Sequence, residues 1–457
     1  MNVKFKAELD KNFQPMAMIY RDFIAAAEKV GAKDIAISAV RYNGFVSTFN
    51  TKIFANGHEE ENYAFIERLA KTLLWCRGGH KLIISGDIKI AKRLENAYKS
   101  DGDRDFDRGF MSRVYETPFE VCGIERFEDA PKTHEAFDSV GRHLDGCRIG
   151  FDAGGSDRKV SAVIDGEPVY SEEVVWFPKT NSDPKYHYEG ILSAMKTAAS
   201  RMPKVDAIGV STAGVCINNR IMVSSLFLKV SDEDYRKSVN NIYKDVALEM
   251  GDVPIEVAND GDVTALAGAM SLGENNVLGV AMGTSEAVGY VDKHGNITGW
   301  LNELAFVPVD FYSGAMVDEW SGDYGCGVKY FSQDSVIKLA PAAGIELDEK
   351  SSPAEKLKVV QELMAKDDER AKKIYETIGI YFGYSLAYYS LFYDIDHVLI
   401  MGRVTSGKGG AIILENAEKV LKEEFPEVAA KTELHIPDEK SRRVGQSVAA
   451  ASLPLIK

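Results

Sequence analysis

The sequence predicts an α/β protein built on an internal duplication, with a further α/β unit ahead of the duplicated core. Three observations carry that prediction. A strand at 149–152 runs into Gly154-Gly155-Ser156, and strands at 160–164 and 172–177, a helix at 187–201 and a buried strand at 207–211 follow. The order then recurs: a strand at 277–282, a Gly-Thr turn, strands at 287–291 and 297–301, a helix-rich stretch and a last strand at 398–401. Ahead of both, residues 34–54 alternate apolar and polar on either side of Asn43-Gly44. That dipeptide accepts positive φ and so marks a tight hairpin.

Each element has a local reason. Residues 59–75 space Phe65, Leu69, Leu73 and Leu74 along one helical face, and a short apolar run at 81–85 reads as a strand. Residues 34–85 therefore give hairpin, helix and strand, a loose echo of 148–211 that suggests a degenerate extra copy of the same unit. Residues 101–145 turn acidic, which puts a boundary near 130–146. The expected division is an N-terminal α/β extension over 1–146, a first lobe over 147–275 and a second over 276–457. Residues 377–393 form an uncharged run with Gly379 and Gly383 four apart. The run is short of the ~20 apolar residues of a membrane span and contains five tyrosines. It reads as a core helix packed closely through its glycines.

Composition narrows the function classes. At 457 residues and 45% hydrophobic, the chain can build about three domains at ~150 residues each. Lys and Arg number 54 against 69 Asp and Glu, a net charge of -15, which disfavours a nucleic-acid or membrane-surface partner. Five scattered cysteines without CxxC spacing, and an N-terminus lacking an apolar h-region, point to a reducing cytoplasm.

The chemistry lies in short segments. In Asp152-Ala-Gly154-Gly155-Ser156 the glycines let backbone N–H groups approach an anion, Ser156 adds a donor, and Asp152 can hold hydrated Mg²⁺. A plain glycine hairpin is the alternative. Gly283-Thr284-Ser285 is the matching turn in the second half, and paired turns suit phosphates held from two sides of a cleft. Asn259-Asp260-Gly-Asp262 falls between a strand at 255–258 and a helix of small residues. One acid there can cap the helix, or Asp260 can serve as general base to a hydroxyl. The segment from Gly402 to Gly409 nearly spells a P-loop, but Gly409 stands where Ser or Thr is required. Residues 101–112 alternate acids like a calcium loop but lack its glycine and terminal glutamate, so a solvated loop is expected.

In order and spacing, these segments make residues 147–457 resemble the sugar-kinase domain of the ROK family (repressors, open reading frames, kinases), which has the actin-like ATPase, ribonuclease H-like fold. Phe151–Ser156 is similar to its first phosphate motif and Ala281–Thr284 to its second. Asn259-Asp260-Gly-Asp262 resembles the segment that carries the catalytic base, and Ile400–Gly407 the adenosine motif. The resemblance implies ATP and Mg²⁺ as cofactors, with a hydroxyl of a small sugar-like molecule as phosphoryl acceptor. Asp260 would be the base, and Asn259 and Glu303 would bind substrate. Asp152, Gly154, Gly155, Ser156, Gly283, Thr284 and Ser285 would hold phosphates and metal, with Gly402 and Gly407 beside the adenosine. A homo-oligomer, a dimer, is expected.

The departures point elsewhere. The family's Glu-x-Gly-His segment becomes Glu303-Leu-Ala-Phe306. Its zinc motif keeps Gly322, Gly325 and Cys326 but has Glu319, Ser321 and Val328 at ligand or contact positions. A single thiolate cannot build a four-ligand zinc site, so structural zinc is expected to be absent. Phe306 and Val328 suggest a more apolar substrate than glucose. A sugar-binding sensor or transcriptional regulator is the competing expectation, although residues 1–100 do not read as a helix-turn-helix.

Overall fold

Five strands in the order Glu167–Val175, Asp157–Ile164, Cys147–Ala153, Ala207–Thr212 and Ile255–Asn259 form the sheet of one compact unit. The computed structural model describes residues 3–136, 139–437 and 439–456. This unit comprises Phe137–Gly279, Gly289–Gly299 and Pro437–Lys457, and the other comprises Met1–Ala136, Val280–Val288 and Trp300–Ile436. The first three strands are antiparallel neighbours, while Ala207–Thr212 and Ile255–Asn259 run parallel to Cys147–Ala153. Every residue of the central strand is buried, as a strand covered on both faces requires. Helix Glu439–Ala451 lies directly on it. A Cβ added at Gly150 would come 2.0 Å from the Ser447 carbonyl oxygen, and one at Gly209 would come 1.6 Å from that of Ala450. Only glycine permits backbone to meet backbone there.

Two further sheets are four-stranded and lie wholly or mostly in the other unit. In one, the order is Glu286–Val291, Val277–Met282, His397–Met401 and Glu433–His435. It repeats the first unit's order without a counterpart to the edge strand Glu167–Val175. The strand expected at 297–301 is missing because its hydrogen bonds go elsewhere. Ile297 makes an isolated bridge to Val291, and the N–H groups of Leu301, Asn302 and Glu303 donate to the carbonyls of Arg77, Cys76 and Trp75.

The second sheet of that unit orders Val46–Phe54, Ala32–Val40, Lys81–Ser85 and Glu120–Ile124. The expected hairpin forms, with Asn43 and Gly44 at φ 56° and 73°. The proposed extra copy fails on direction: Lys81–Ser85 runs antiparallel to Ala32–Val40, whereas its counterpart in the core is parallel. Met1–Ala136, most of the expected extension over 1–146, group with Trp300–Ile436 in one compact unit. The solvated loop expected at 101–112 is largely the helix Asp105–Tyr115, with Arg104 and Asp107 buried. Helix Met16–Val30 was not expected, because Pro15 precedes it in place of a polar cap.

Helix Glu369–Tyr389 spans most of the uncharged run and is buried from Thr377 onward. It packs on helix Lys408–Glu424: a Cβ at Gly379 would meet the Ile413 carbonyl at 2.6 Å, and one at Gly383 would meet Val420 Cβ at 2.7 Å. No helix among the described residues is long and apolar enough to cross a membrane. Replacing Gly383 with Val should therefore separate the two helices and destabilise the chain by about 1–3 kcal/mol or more, read as a lower denaturant midpoint at unchanged slope.

Candidate active site

The register of the five-stranded sheet gathers one set of groups. Ala153 pairs with Thr212, and Thr212 with Asn259, so three parallel strands end side by side. Their carboxyl ends are where open α/β sheets bind ligands. Asp152 lies one residue before the end of the central strand and Asp260 one residue after the end of the outer one. Asp152 is buried and accepts a 2.8 Å hydrogen bond from Ser211 Oγ, with Gln446 Nε2 at 3.4 Å. Burial raises its pKa above the usual carboxylate value.

The turn after Asp152 is braced by Trp176, which is buried. Its indole N–H donates to the Gly154 carbonyl at 2.8 Å, and its backbone N–H donates to Ser156 at 3.1 Å. The Gly155 backbone is overhung by Lys179: a Cβ built there would lie 2.8 Å from Lys179 Cε and 3.1 Å from Nζ. Lys179 also acts electrostatically on Asp260. The sequence offered no motif for this lysine, which stands in a short turn at Pro178–Thr180.

Asn259 caps helix Asp260–Leu272, accepting from the Gly261 N–H at 2.7 Å, and its amide donates to the Gly214 carbonyl at 2.9 Å. The cap expected of an aspartate is thus an asparagine, and one donor and one acceptor site of Asn259 are already used. Asp262 is buried and accepts from the Tyr290 N–H at 3.1 Å, a structural role. Asp260 is not used as the cap. Its carboxyl accepts from the Gly261 N–H at 3.0 Å and from its own backbone N–H. Loss of solvation, then the charge of Asp152, pushes its pKa up to about 6.

The other unit holds the remaining groups. Gly283 accepts from the Gln333 N–H and donates to Ser285. A Cβ at Gly283 would meet nothing nearer than 3.6 Å, so packing alone does not demand glycine there. Thr284 and Ser285 are exposed. The Met282 carbonyl accepts from Val404 at 3.0 Å and would lie 2.3 Å from a Cβ at Gly402. The Gly283 and Gly402 turns are therefore brought together. Gly407, at φ 69°, precedes helix Lys408–Glu424 with open space around it.

Glu303 is set by the hydrogen bonds of 301–303 to the last carbonyls of helix Glu59–Arg77. Phe306 packs on Trp75 at 4.3 Å between ring centres, and on Phe106 at 5.5 Å. The segment 318–329 is held by other contacts. Ser321 Oγ donates to Asp318 at 2.6 Å, Glu319 pairs with Lys329, and burial pushes the Cys326 thiol up to about 11. These residues do not fit a tetrahedral zinc. Asp323, in the same segment, meets three buried cations instead: Arg68 at 2.9 and 3.0 Å, Lys71 at 2.8 Å and Arg104 at 2.8 Å. Asp107 and Glu67 complete the cluster.

Glu286 escaped the sequence reading because it follows the glycine turn as an apparently ordinary strand residue. It is buried, and among the described residues neither carboxyl oxygen has a hydrogen-bond partner. Burial first, then the charge of Glu303, raises its pKa well above the usual value.

The 3-2-1-4-5 sheet, its repetition and the paired glycine turns define an actin-like ATPase architecture. Solved structures share it. A ROK hexokinase from Thermus thermophilus superposes with TM-score 0.51 at 18% identity, covering 66% of this chain and 97% of its own. A ROK family transcriptional regulator, a homolog of the E. coli MLC protein, gives 0.53 at 16% identity, covering 68% and 79%. A candidate N-acetylmannosamine kinase from Listeria monocytogenes gives 0.50 at 16% identity, covering 67% and 97%. The likeness is one of fold, and the fold is that of ROK proteins. No family profile and no curated protein matches the sequence.

Two predictions follow from the buried charges. Asp323→Asn leaves three cations without their shared carboxylate and should cost about 3–5 kcal/mol, read by denaturant unfolding. Glu286 holds its proton in the folded state above the pH at which the unfolded chain releases it. Its stabilising contribution is present below the unfolded value near 4.3 and is lost as pH rises. Glu286→Gln should therefore gain thermal midpoint relative to wild type as pH rises above about 4.3; an offset that does not grow with pH would refute the assignment.

Proposed function

We propose that the chain is an ATP-dependent kinase that phosphorylates a hydroxyl of a sugar or sugar-like substrate. The observation that carries this reading is Asp260. It heads a helix at the carboxyl edge of the sheet, is spared from capping by Asn259, and has its pKa pushed up to about 6. A base of that strength is largely ionised at neutral pH and can still take a proton from a hydroxyl as it attacks.

MgATP would supply the transferable phosphoryl group, with metal and nucleotide balancing charge on the phosphates. Asp152 fits the metal, as a carboxylate at the strand end beside a glycine turn. The backbone of Gly154, Gly155 and Ser156, with the ammonium of Lys179, suits one group of phosphate oxygens. Gly283, Thr284 and Ser285 suit another, and Gly402 and Gly407 suit the adenosine. Asn259 retains one amide proton and one lone pair for a substrate hydroxyl, and Glu303 adds an acceptor. Phe306, drawn into the Trp75 and Phe106 cluster, supports a substrate with an apolar substituent over unsubstituted glucose.

A second reading is a ligand-binding regulator on the same fold. The fold likeness to a ROK transcriptional regulator and the replaced zinc ligands favour it.

ADP release with a panel of sugars and sugar derivatives separates the two. Asp260→Asn should lower kcat by about 10²–10⁴-fold. In the wild type, kcat/KM should fall as pH drops below about 6, when Asp260 takes up its proton. Unchanged turnover in the variant would overturn the kinase reading, and ligand binding without ADP release would support the regulator.

A further inference from the structure

At the edge of a sheet in the unit that contains Trp300–Ile436, two strands carry three metal-binding side chains to one point. His397 opens strand His397–Met401 and is the register partner of Glu433 in the parallel pair with Glu433–His435. Glu433 and His435 are two residues apart and share a face. His397 Nδ1 stands 3.1 Å from His435 Nε2, and Glu433 Oε2 lies 3.9 Å from the first and 3.8 Å from the second. The centre of a triangle with those sides is about 2.1 Å from each corner, and Zn–N and Zn–O bonds are about 2.0–2.2 Å. The three atoms already stand where ligands of one small ion would stand.

We propose that His397, Glu433 and His435 bind a zinc-class divalent transition ion, with water in the fourth position. Two imidazoles and one carboxylate select zinc, cobalt or nickel over magnesium and calcium, which prefer all-oxygen sites. The histidine side chains are 15% and 26% exposed and that of Glu433 is 72% exposed, so an ion and its water can enter from solvent. Lys422, on the rim of the adjoining hollow, is paired with Glu418 at 2.6 Å, which offsets its repulsion. The site is separate from the candidate active site. Five residues at about 3.3 Å each put His397 roughly 16 Å along its strand from Gly402.

The ion has a structural task. Strand Glu433–His435 is three residues long and is joined to its neighbour through three register pairs. A metal bridging the strands fixes that edge. Without metal, the two ring nitrogens at 3.1 Å can share one proton, so the same geometry serves the metal-free form.

The test uses the full chain, stripped with chelator and titrated with Zn²⁺ by calorimetry and with Co²⁺ by visible absorption. One equivalent of Zn²⁺ should bind, and Co²⁺ should give the d–d bands of a four-coordinate site that Zn²⁺ abolishes. His435→Gln and His397→Gln/His435→Gln should weaken Zn²⁺ binding by more than about 100-fold, since loss of a direct ligand exceeds the effect of an outer-shell partner. Metal-free thermal midpoints equal to wild type show that the variants fold. Zn²⁺ should raise the wild-type midpoint and leave that of the double variant unmoved. No uptake by the wild type, or uptake that survives in the folded double variant, would overturn the proposal.

Discussion

Three cations from the first 136 residues converge on one carboxylate, and much of the unit that holds Glu303 depends on that meeting. Arg68, Lys71 and Arg104 are buried and all reach Asp323. The Coulomb attraction, strong at these separations away from water, drives the carboxyl far below its usual pKa against the opposing effect of burial. Arg68 and Lys71 stand on helix Glu59–Arg77, and Arg104 precedes helix Asp105–Tyr115. The cluster thereby fixes both helices to the segment around residue 323. With the first helix fixed, its last carbonyls accept from residues 301–303 and set Glu303. The N-terminal residues are part of the apparatus that positions a candidate substrate group.

A buried ion cluster is weak evidence for net stability, because desolvation opposes the attraction. Its value is specificity: a bidentate Arg68 contact and two further donors admit few alternative arrangements of the 318–326 segment. Ser321, Cys326 and Asp318 fill the space with ordinary hydrogen bonds. In this chain the loop is ordered by side chains from a distant stretch of sequence.

The other unit achieves its arrangement through backbone. Parallel register brings Ala153, Thr212 and Asn259 level, and helix Glu439–Ala451 can cover those strands because Gly150 and Gly209 have no side chains. Asp260 then emerges at a helix start where Asn259 has taken the capping duty. The net charge of -15 makes the local donors matter. Lys179 over Gly155 is a local positive charge against that background.

The strands, turns and glycines at 152–156, 283–285 and 402–407 were legible in the sequence, because alternation and glycine placement are local properties. The strand–helix junction that carries Asp260 was legible from its neighbours. What lay beyond the sequence concerns partners far apart in the chain. Lys179 over Gly155, Glu286 with its unmatched carboxyl, and His397 beside Glu433 and His435 carry no local signature. Residues 297–301 looked like a strand, but their neighbours 301–303 gave their N–H groups to a helix end more than 200 residues earlier. Likewise the acids at 101–107 looked solvated until Trp75 and Lys71 claimed Asp107. Sequence alone determined the period of each element and the residue types at its turns, since those follow from backbone sterics and hydrophobic patterning. Tertiary structure decided which buried charges found partners and which helix ends were capped by strangers, because burial and Coulomb energy depend on distance in space.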